Sequence, residues 1–462
     1  MKKLFCLLSA LLLVFVSLPF VSASASDDIY DLIYERIFDF PCYEEGTYID
    51  VKSFGLTKDE IHEIFGGMLK SEPELFFVKN TWQIASISGK VTKIYPRYNM
   101  TKSEYAAAKK VYDSKLNAIV ALLPRGLDDF GKAAFFHDYI CQNFAYDTTY
   151  TNYDVYSMLR DGVGVCEAYT LIYIALLDKV SVPAVAVSSS EINHAWNEVM
   201  IGGKWYETDV TWDDPTPDTF AKAKHTYFLC SKTKFDSDGK HGSTYSLDFP
   251  CTDKKYDFAE WRNENTAFGF AGGDTYYLKD YDIKKISGTS ASTVYTISAK
   301  WRASSTSTYV DCFSGFGSYD DKLIFNDPDT VLWLDPATSK TGYVCKDTDP
   351  NKEIYACYTV GDKVRFSMSA TSAYKASGAV TKDIEFHTGS GEIVVPEIKL
   401  GDVNGDGNVN SKDYMLLKRY CLKTLALTAK ELLCGDVNKD GKDDSKDYAL
   451  LKRHCLGTYV IK

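Results

Sequence analysis

The segment from Gly162 to Pro215 constrains the fold most. It opens with GVGVCEAYTLIYIALL and closes with SEINHAWNEVMIGGKWYETDVTWDDP. Cys166 follows Gly162 and Gly164 and begins an apolar run, Ala168 to Leu177, whose periodicity predicts a helix. A thiol at a helix N-terminus sits in the positive end of the peptide dipole, where the reactive thiolate is favoured. That placement suits a nucleophile.

A hairpin should supply its partners. Residues alternate from His194 to Ile201, Gly202-Gly203 makes a two-residue turn, and Lys204 to Thr211 alternates again. Pairing Ile201 with Lys204 sets Asp209 opposite Trp196 and Thr211 opposite His194. His194 and Asp209 then become diagonal neighbours on one face, with Cβ atoms about 7 Å apart. An imidazole and a carboxylate can bridge that gap, the acid orienting the ring and the ring activating a thiol.

The segments GVGVCEAYT, HAWNEV and KWYETDVTWDDP resemble the transglutaminase-like superfamily, a papain-related group with Cys, His and Asp in that order. The resemblance runs from about Phe130 to Pro215, with His137-Asp138-Tyr139-Ile140 and Asn143-Phe144-Ala145-Tyr146-Asp147 as its lead-in. It implies Cys166 as nucleophile, His194 as general base and acid, and Asp209 as the orienting acid, with no catalytic cofactor. Papain-like enzymes also place an upstream glutamine near the thiol. Gln142 is a candidate for that role, although a surface position is the plainer expectation. His137 reads as a packed histidine rather than a second base.

Met1-Lys2-Lys3, the apolar run Leu4 to Val21 and the small residues that follow read as a secretory signal peptide, residues 1–25, cleaved near Ala23 or Ala25. No later stretch approaches a transmembrane length, so an extracellular protein without a membrane span is expected. The net charge of −11 argues against a nucleic-acid partner, which calls for clustered basic residues. Of twelve cysteines, Cys6 leaves with the signal, and disulfides and reduced core thiols stay equally open.

Residues 26–125 form an N-terminal α+β region, with helices expected at Ile29–Phe40, Thr57–Leu69 and Ser103–Leu122. Thr57 and Glu60 form a capping box, and Trp82–Tyr98 folds as a hairpin around Ser88-Gly89. The catalytic domain spans 126–260, with a helix over Leu127–Phe144 and a short strand at Thr226–Ser231. From 261 to 387 short alternating runs recur, beginning at Asp274, Asp321 and Asp362, which are 47 and 41 residues apart. That spacing is near a propeller blade, but three copies cannot close one, so an antiparallel β-rich module is expected.

After a linker at 388–400, GDVNGDGNVNSKDYMLLKRYCL returns as GDVNKDGKDDSKDYALLKRHCL, 34 residues later. Each copy fits a calcium loop, with oxygen side chains at positions 1, 3, 5, 9 and 12 and glycine at 6. The first set is Asp402, Asn404, Asp406, Asn410 and Asp413, with the Asn408 carbonyl at position 7. The second is Asp436, Asn438, Asp440, Asp444 and Asp447, with the Lys442 carbonyl. One helix follows each loop, and position 12 is Asp where a full EF-hand has Glu. Two loop–helix units within residues 401–462 resemble the type I dockerin. The resemblance implies two Ca2+ ions and a cohesin-bearing scaffold as partner. It also implies contacts through Ser411, Lys412, Lys418 and Arg419 and their repeats Ser445, Lys446, Lys452 and Arg453.

The expected architecture is α+β: a papain-like transglutaminase core, a β-rich module and a small all-α calcium-binding dockerin. The expected function is a secreted, cysteine-dependent protease, amidase or transglutaminase acting on protein or peptide within a cellulosome. The alternative is a catalytically inactive adaptor of the same assembly.

Overall fold

The computed structural model describes residues 23–242, 244–245, 247–301, 312–346, 352–370, 380–386, 399–425, 427, 432, 434–438 and 444–461. The expected signal segment through residue 22 and most of the linker at 388–400 lie outside these residues. The chain divides into two compact units, Met1–Ser390 and Gly391–Lys462.

The first unit begins with helices α1 (Ala23–Ile37), α2 (Lys58–Ser71) and α3 (Lys102–Val120), and a sheet of β1 (Ile49–Asp50), β2 (Val78–Ile87) and β3 (Lys90–Tyr98) in the order β1-β3-β2. Thr57 and Glu60 close the expected capping box on α2, and Thr101 with Glu104 repeats it on α3. Ser88 and Gly89 both take positive φ, at 50° and 80°, which lets β2 turn directly into β3.

Next come α4 (Asp129–Asn143), β4 (Ala145–Tyr146), α5 (Val155–Asp161), β5 (Val163–Gly164), α6 (Cys166–Lys179) and the sheet β6 (Ala184–Ser189), β7 (His194–Ile201) and β8 (Lys204–Thr208). Helix α6 is buried at every position from Ala168 to Leu177. It is a central helix, apolar on all sides, enclosed by α4 and the sheet. The hairpin register is as the turn predicts, with Ile201 paired to Lys204 and Asn197 to Thr208. The second strand stops at Thr208 rather than Thr211, because Asp209 leaves the ladder to cap the short helix α7 (Val210–Asp213). The expected strand at Thr226–Ser231 is a turn joined to β8 by a single bridge, Glu207 to Cys230. Leu229 has φ 51° there, and the Arg262 guanidinium takes up the carbonyls of His225, Thr226 and Leu229, which a flat strand would direct at a neighbour. A further one-turn helix, α8 (Lys232–Phe235), leads out of this turn.

One apolar core runs from Ile29 to Tyr277, joining the N-terminal region, the central helix and the first strands beyond residue 261. The β-rich region holds three antiparallel sheets: β9 (Gly269–Ala271) to β12 (Ser290–Thr296), β13 (Phe316–Tyr319) to β16 (Lys340–Lys346), and β17 (Lys352–Val360) to β19 (Val380–Glu385). Each recurrent run noted in the sequence forms the second strand of one sheet: β10 (Asp274–Lys279), β14 (Lys322–Asn326) and β18 (Lys363–Ala370). Strand β13 lies against both β9 and β17. The second unit contains α9 (Ser411–Cys421) and α10 (Ser445–Cys455), packed through Leu417 and Leu451 with Val403 and Val437.

Candidate functional site

Cys166 is the first residue of α6 and is half-buried. Its approach is fixed by backbone. Ala145 and Tyr146 pair in parallel with Val163 and Gly164, and Val165 N–H donates to Asn152 O at 2.9 Å. The 147–152 loop folds around Asp147, whose carboxylate accepts from the backbone N–H groups of Thr149, Thr151 and Asn152. A Cβ at Gly164 would stand 2.8 Å from Met158 Sδ and 2.9 Å from Ala168 Cβ, so glycine is what lets the chain reach the helix. Val165 offers no side-chain cap, leaving the first N–H groups of α6 directed outward.

His194 opens β7, and its Nε2 lies 2.7 Å from Asp209 Oδ2. Cys166 lies close enough to the ring to act on its charge. With Nε2 engaged by the carboxylate, Nδ1 is the nitrogen left for the sulfur. The ring stacks on Trp212 at 4.8 Å between centroids, which fixes its plane. Asp209 is fully buried; its Oδ1 accepts the Trp212 N–H at 3.0 Å. A third group completes its shell: His241 Nε2, 2.9 Å from Oδ2. The structure thus brings His194 and Asp209 together beside Cys166, and adds His241, which stands in a Gly/Ser-rich stretch with no motif to flag it.

Burial alone would depress the His194 pKa, but the Asp209 charge and hydrogen bond, with Cys166 adding to them, push it up to about 10. Burial works to raise Asp209, yet the charge and hydrogen bond of His194 and the bond from His241 hold it down at about 2. The site therefore favours an imidazolium–carboxylate pair next to the sulfur. Behind it, burial lifts Glu207 to about 7; this carboxylate accepts from Trp196 Nε1 at 3.1 Å and anchors the indole beside His194.

Gln142 is half-buried near the end of α4, and its side-chain nitrogen is buried without a hydrogen-bond partner. This corrects the expectation of a surface glutamine. The β4–β5 pairing just beyond it brings this end of α4 to the chain entering α6. His137 is packed as expected: Nδ1 is 2.8 Å from Asp138 and Nε2 3.2 Å from Asp213. His225 also reaches Asp138, at 2.9 Å. Two triplets, His137–Asp138–His225 and His194–Asp209–His241, hold their donor atoms within 4.8 Å of one another. Both are buried, mutually hydrogen-bonded networks. Cys141, Cys230, Cys251 and Cys357 are buried thiols without a bridge, behaving as small apolar side chains.

The described loop positions of the second unit offer oxygen ligands. Gly407 takes φ 86° and donates its N–H to Asp402 Oδ2 at 2.8 Å. Asp413 is fully buried and accepts the N–H groups of Asn404 and Asn410. Asp402 Oδ1 is buried with no partner, a carboxylate oxygen left for a cation. In the second loop Asp447 accepts from Asn438 and Asp444 in the same way; Asp440 and Lys442 lie outside the described residues. Asn410 and Asp444 cap the helices that follow. Ser411, Lys412, Arg419, Ser445, Lys446, Lys452 and Arg453 are exposed, whereas Lys418 is half-covered and lies over the Tyr414 ring.

Residues 121–210 match the transglutaminase-like superfamily, a span that ends one residue past Asp209. Residues 400–456 match the dockerin type I domain. A 36-residue stretch is 56% identical to Endoglucanase A of Acetivibrio thermocellus, 8% of either chain. Among solved structures, a transglutaminase shares 15% identity with a TM-score of 0.21, over 29% of this chain and 44% of that one. A cysteine-protease candidate from Cytophaga hutchinsonii shares 24% with a TM-score of 0.20, over 23% and 40%. The chain spans less than half the length of each of these relatives. Family matches and mixed helix–sheet architecture together identify a transglutaminase-like core, followed by a β-rich region and a C-terminal type I dockerin.

Proposed function

We propose that this chain is a secreted cysteine-dependent amide-processing enzyme, carried by its dockerin on a cohesin-bearing scaffold of the cellulosome type. The observation that supports it best is His194 paired at 2.7 Å with the buried Asp209 carboxylate, with Cys166 at the start of α6 close enough to act on the ring. In this reading the Cys166 thiolate attacks an amide carbonyl carbon. The electron pair moves to oxygen and returns as the C–N bond breaks, while His194 gives its proton to the leaving amine. The resulting thioester passes to water, releasing an acid, or to a lysine amine, forming a cross-link; hydrolysis is the outcome we favour. The unpartnered Gln142 amide and the outward N–H groups at the start of α6 are the donors suited to the developing oxyanion.

Calcium would be held in the dockerin by Asp402, Asn404, Asp406, Asn410 and Asp413 with the Asn408 carbonyl. The second set is Asp436, Asn438, Asp440, Asp444 and Asp447 with the Lys442 carbonyl. The buried, partnerless Asp402 oxygen supports that use. The Endoglucanase A match, brief as it is, is consistent with a polysaccharide-degrading assembly as the host.

The test is to incubate the protein with casein and an amine donor and to read fragments, deamidation and adducts by mass spectrometry. Wild type should yield products and Cys166→Ala none, with both proteins folded. Cys166 should also react with iodoacetamide below neutral pH faster than a free thiol. Labelling at the free-thiol rate would favour the inactive adaptor instead.

A further inference from the structure

His241 has no solvent exposure, and its Nε2 reaches the same oxygen, Asp209 Oδ2, that His194 uses. Its other nitrogen, Nδ1, is buried with no hydrogen-bond partner. The walls around it are aromatic, with ring centroids of Phe235 at 3.9 Å, Trp212 at 4.1 Å, Tyr227 at 4.8 Å and Trp196 at 5.2 Å. A carboxylate oxygen only accepts, so Nε2 carries the proton. A second proton, on Nδ1, would be an ionic N–H buried without an acceptor, which is costly. His241 therefore presents its Nε2–H to Asp209 and leaves Nδ1 without a partner.

We propose that His241 is a fourth member of the site, a positioning residue that shares the Asp209 carboxylate with His194, holds it in place and tempers its pull on the His194 ring. The inference rests on the Cys166–His194–Asp209 reading given above. Two donors on one oxygen each receive less of its charge, so the His241 N–H steadies the carboxylate and weakens its hold on the His194 ring. His194 must keep its proton beside a thiolate yet release it to the leaving amine. Unshared pairing with Asp209 would make it a poorer acid.

The charged and titratable groups around His241 come from several elements. The Asp209 and Asp238 carboxylates lie within electrostatic reach of it, and His194 and Tyr227 face it. Glu191 lies against the adjoining Gly242, and Glu207 and Tyr245 stand behind Trp196. Lys240 reaches the Tyr227 hydroxyl at 3.5 Å.

The test compares wild type, His241→Phe, which keeps a ring in the cage but removes the donor, and His241→Gln, which keeps an N–H at similar reach. The rate of Cys166 alkylation by iodoacetamide is followed across pH, with kcat and KM on casein. For His241→Phe the alkaline limit of fast labelling should move up by about one pH unit. Its kcat should fall roughly tenfold with KM unchanged, and His241→Gln should restore both. A Phe variant that overlays wild type overturns the proposal. Should that variant lose its melting transition, two-bond proton–nitrogen spectra of the wild-type protein decide. An Nε2–H hydrogen-bonded to Asp209 at position 241 upholds it, and an Nδ1–H tautomer with Nε2 bare overturns it. Wild-type Cys166 labelling no faster than a free thiol would instead fell the triad reading and this proposal with it.

Discussion

Asp209 accepts hydrogen bonds from three places: His194, His241 and the Trp212 backbone N–H. Asparagine there would be nearly the same size but could not carry the charge, and its amide would face two N–H donors. Asp209→Asn should therefore lower kcat by roughly 10⁴-fold with little change in KM, measured on casein turnover. A loss smaller than tenfold would argue against the orienting role. Other buried groups set the pH response of stability. His137 is lowered by burial, but its hydrogen bonds to the Asp138 and Asp213 carboxylates, with their charges, outweigh this and raise it from 6.5 to about 9. Its stabilisation is full below 6.5 and lost as pH rises through 9. Burial, with Asp248 close by, lifts Glu198 from 4.5 to about 8, so its contribution also declines as pH climbs. The melting temperature of the first unit should fall between pH 6.5 and 9, and less so in Glu198→Gln. A flat or rising profile would refute the assignment.

At the scale of elements, each of the three side chains proposed to carry the chemistry sits where one element gives way to another. Cys166 starts a helix, His194 starts a strand, and Asp209 stands between β8 and α7. Such positions combine a fixed backbone with a side chain free of the ladder or helix face. The β-rich region depends on close backbone approach. A Cβ at Gly315 would lie 2.0 Å from Cys357 O and 2.1 Å from Cys357 N, and neither atom can rotate away. Gly315→Ala should cost about 3 kcal/mol, read as a lowered denaturant midpoint. Wild-type stability in that variant would mean that β17 does not pack there. The helices of the second unit are short and depend on their loops, since so small a domain buries little core without a metal. Chelation with EDTA should remove their helical signal while the first unit keeps its own transition. A single transition indifferent to EDTA would exclude calcium binding by the repeats.

At the scale of the whole molecule, the duplicated loop–helix units carry Lys418-Arg419 and Lys452-Arg453 at matching repeat positions, Lys418 being half-covered and the other three exposed. If either can face an acidic cohesin surface, Lys418→Glu with Arg419→Glu should cost only about twofold in affinity, the loss of one of two equal modes. Adding the same changes at Lys452 and Arg453 should abolish binding, and rising salt should weaken the wild type. Calorimetry separates these outcomes, and full loss from one pair alone would mean a single binding mode. The sequence by itself determined the features carried by local spacing. The Gly202-Gly203 turn set the hairpin register, the capping boxes set helix starts, and the glycine at loop position 6 marked the repeats. Backbone geometry enforces those within a few residues. Only the tertiary structure decided where Asp209 leaves its strand, that Thr226–Ser231 is a turn held by Arg262, and that the Gln142 amide is buried. It also decided that His241, 32 residues beyond Asp209, completes the carboxylate shell. Those outcomes depend on which distant groups meet in the dry interior, where an unpaired polar atom is costly, and no spacing along the chain encodes that meeting.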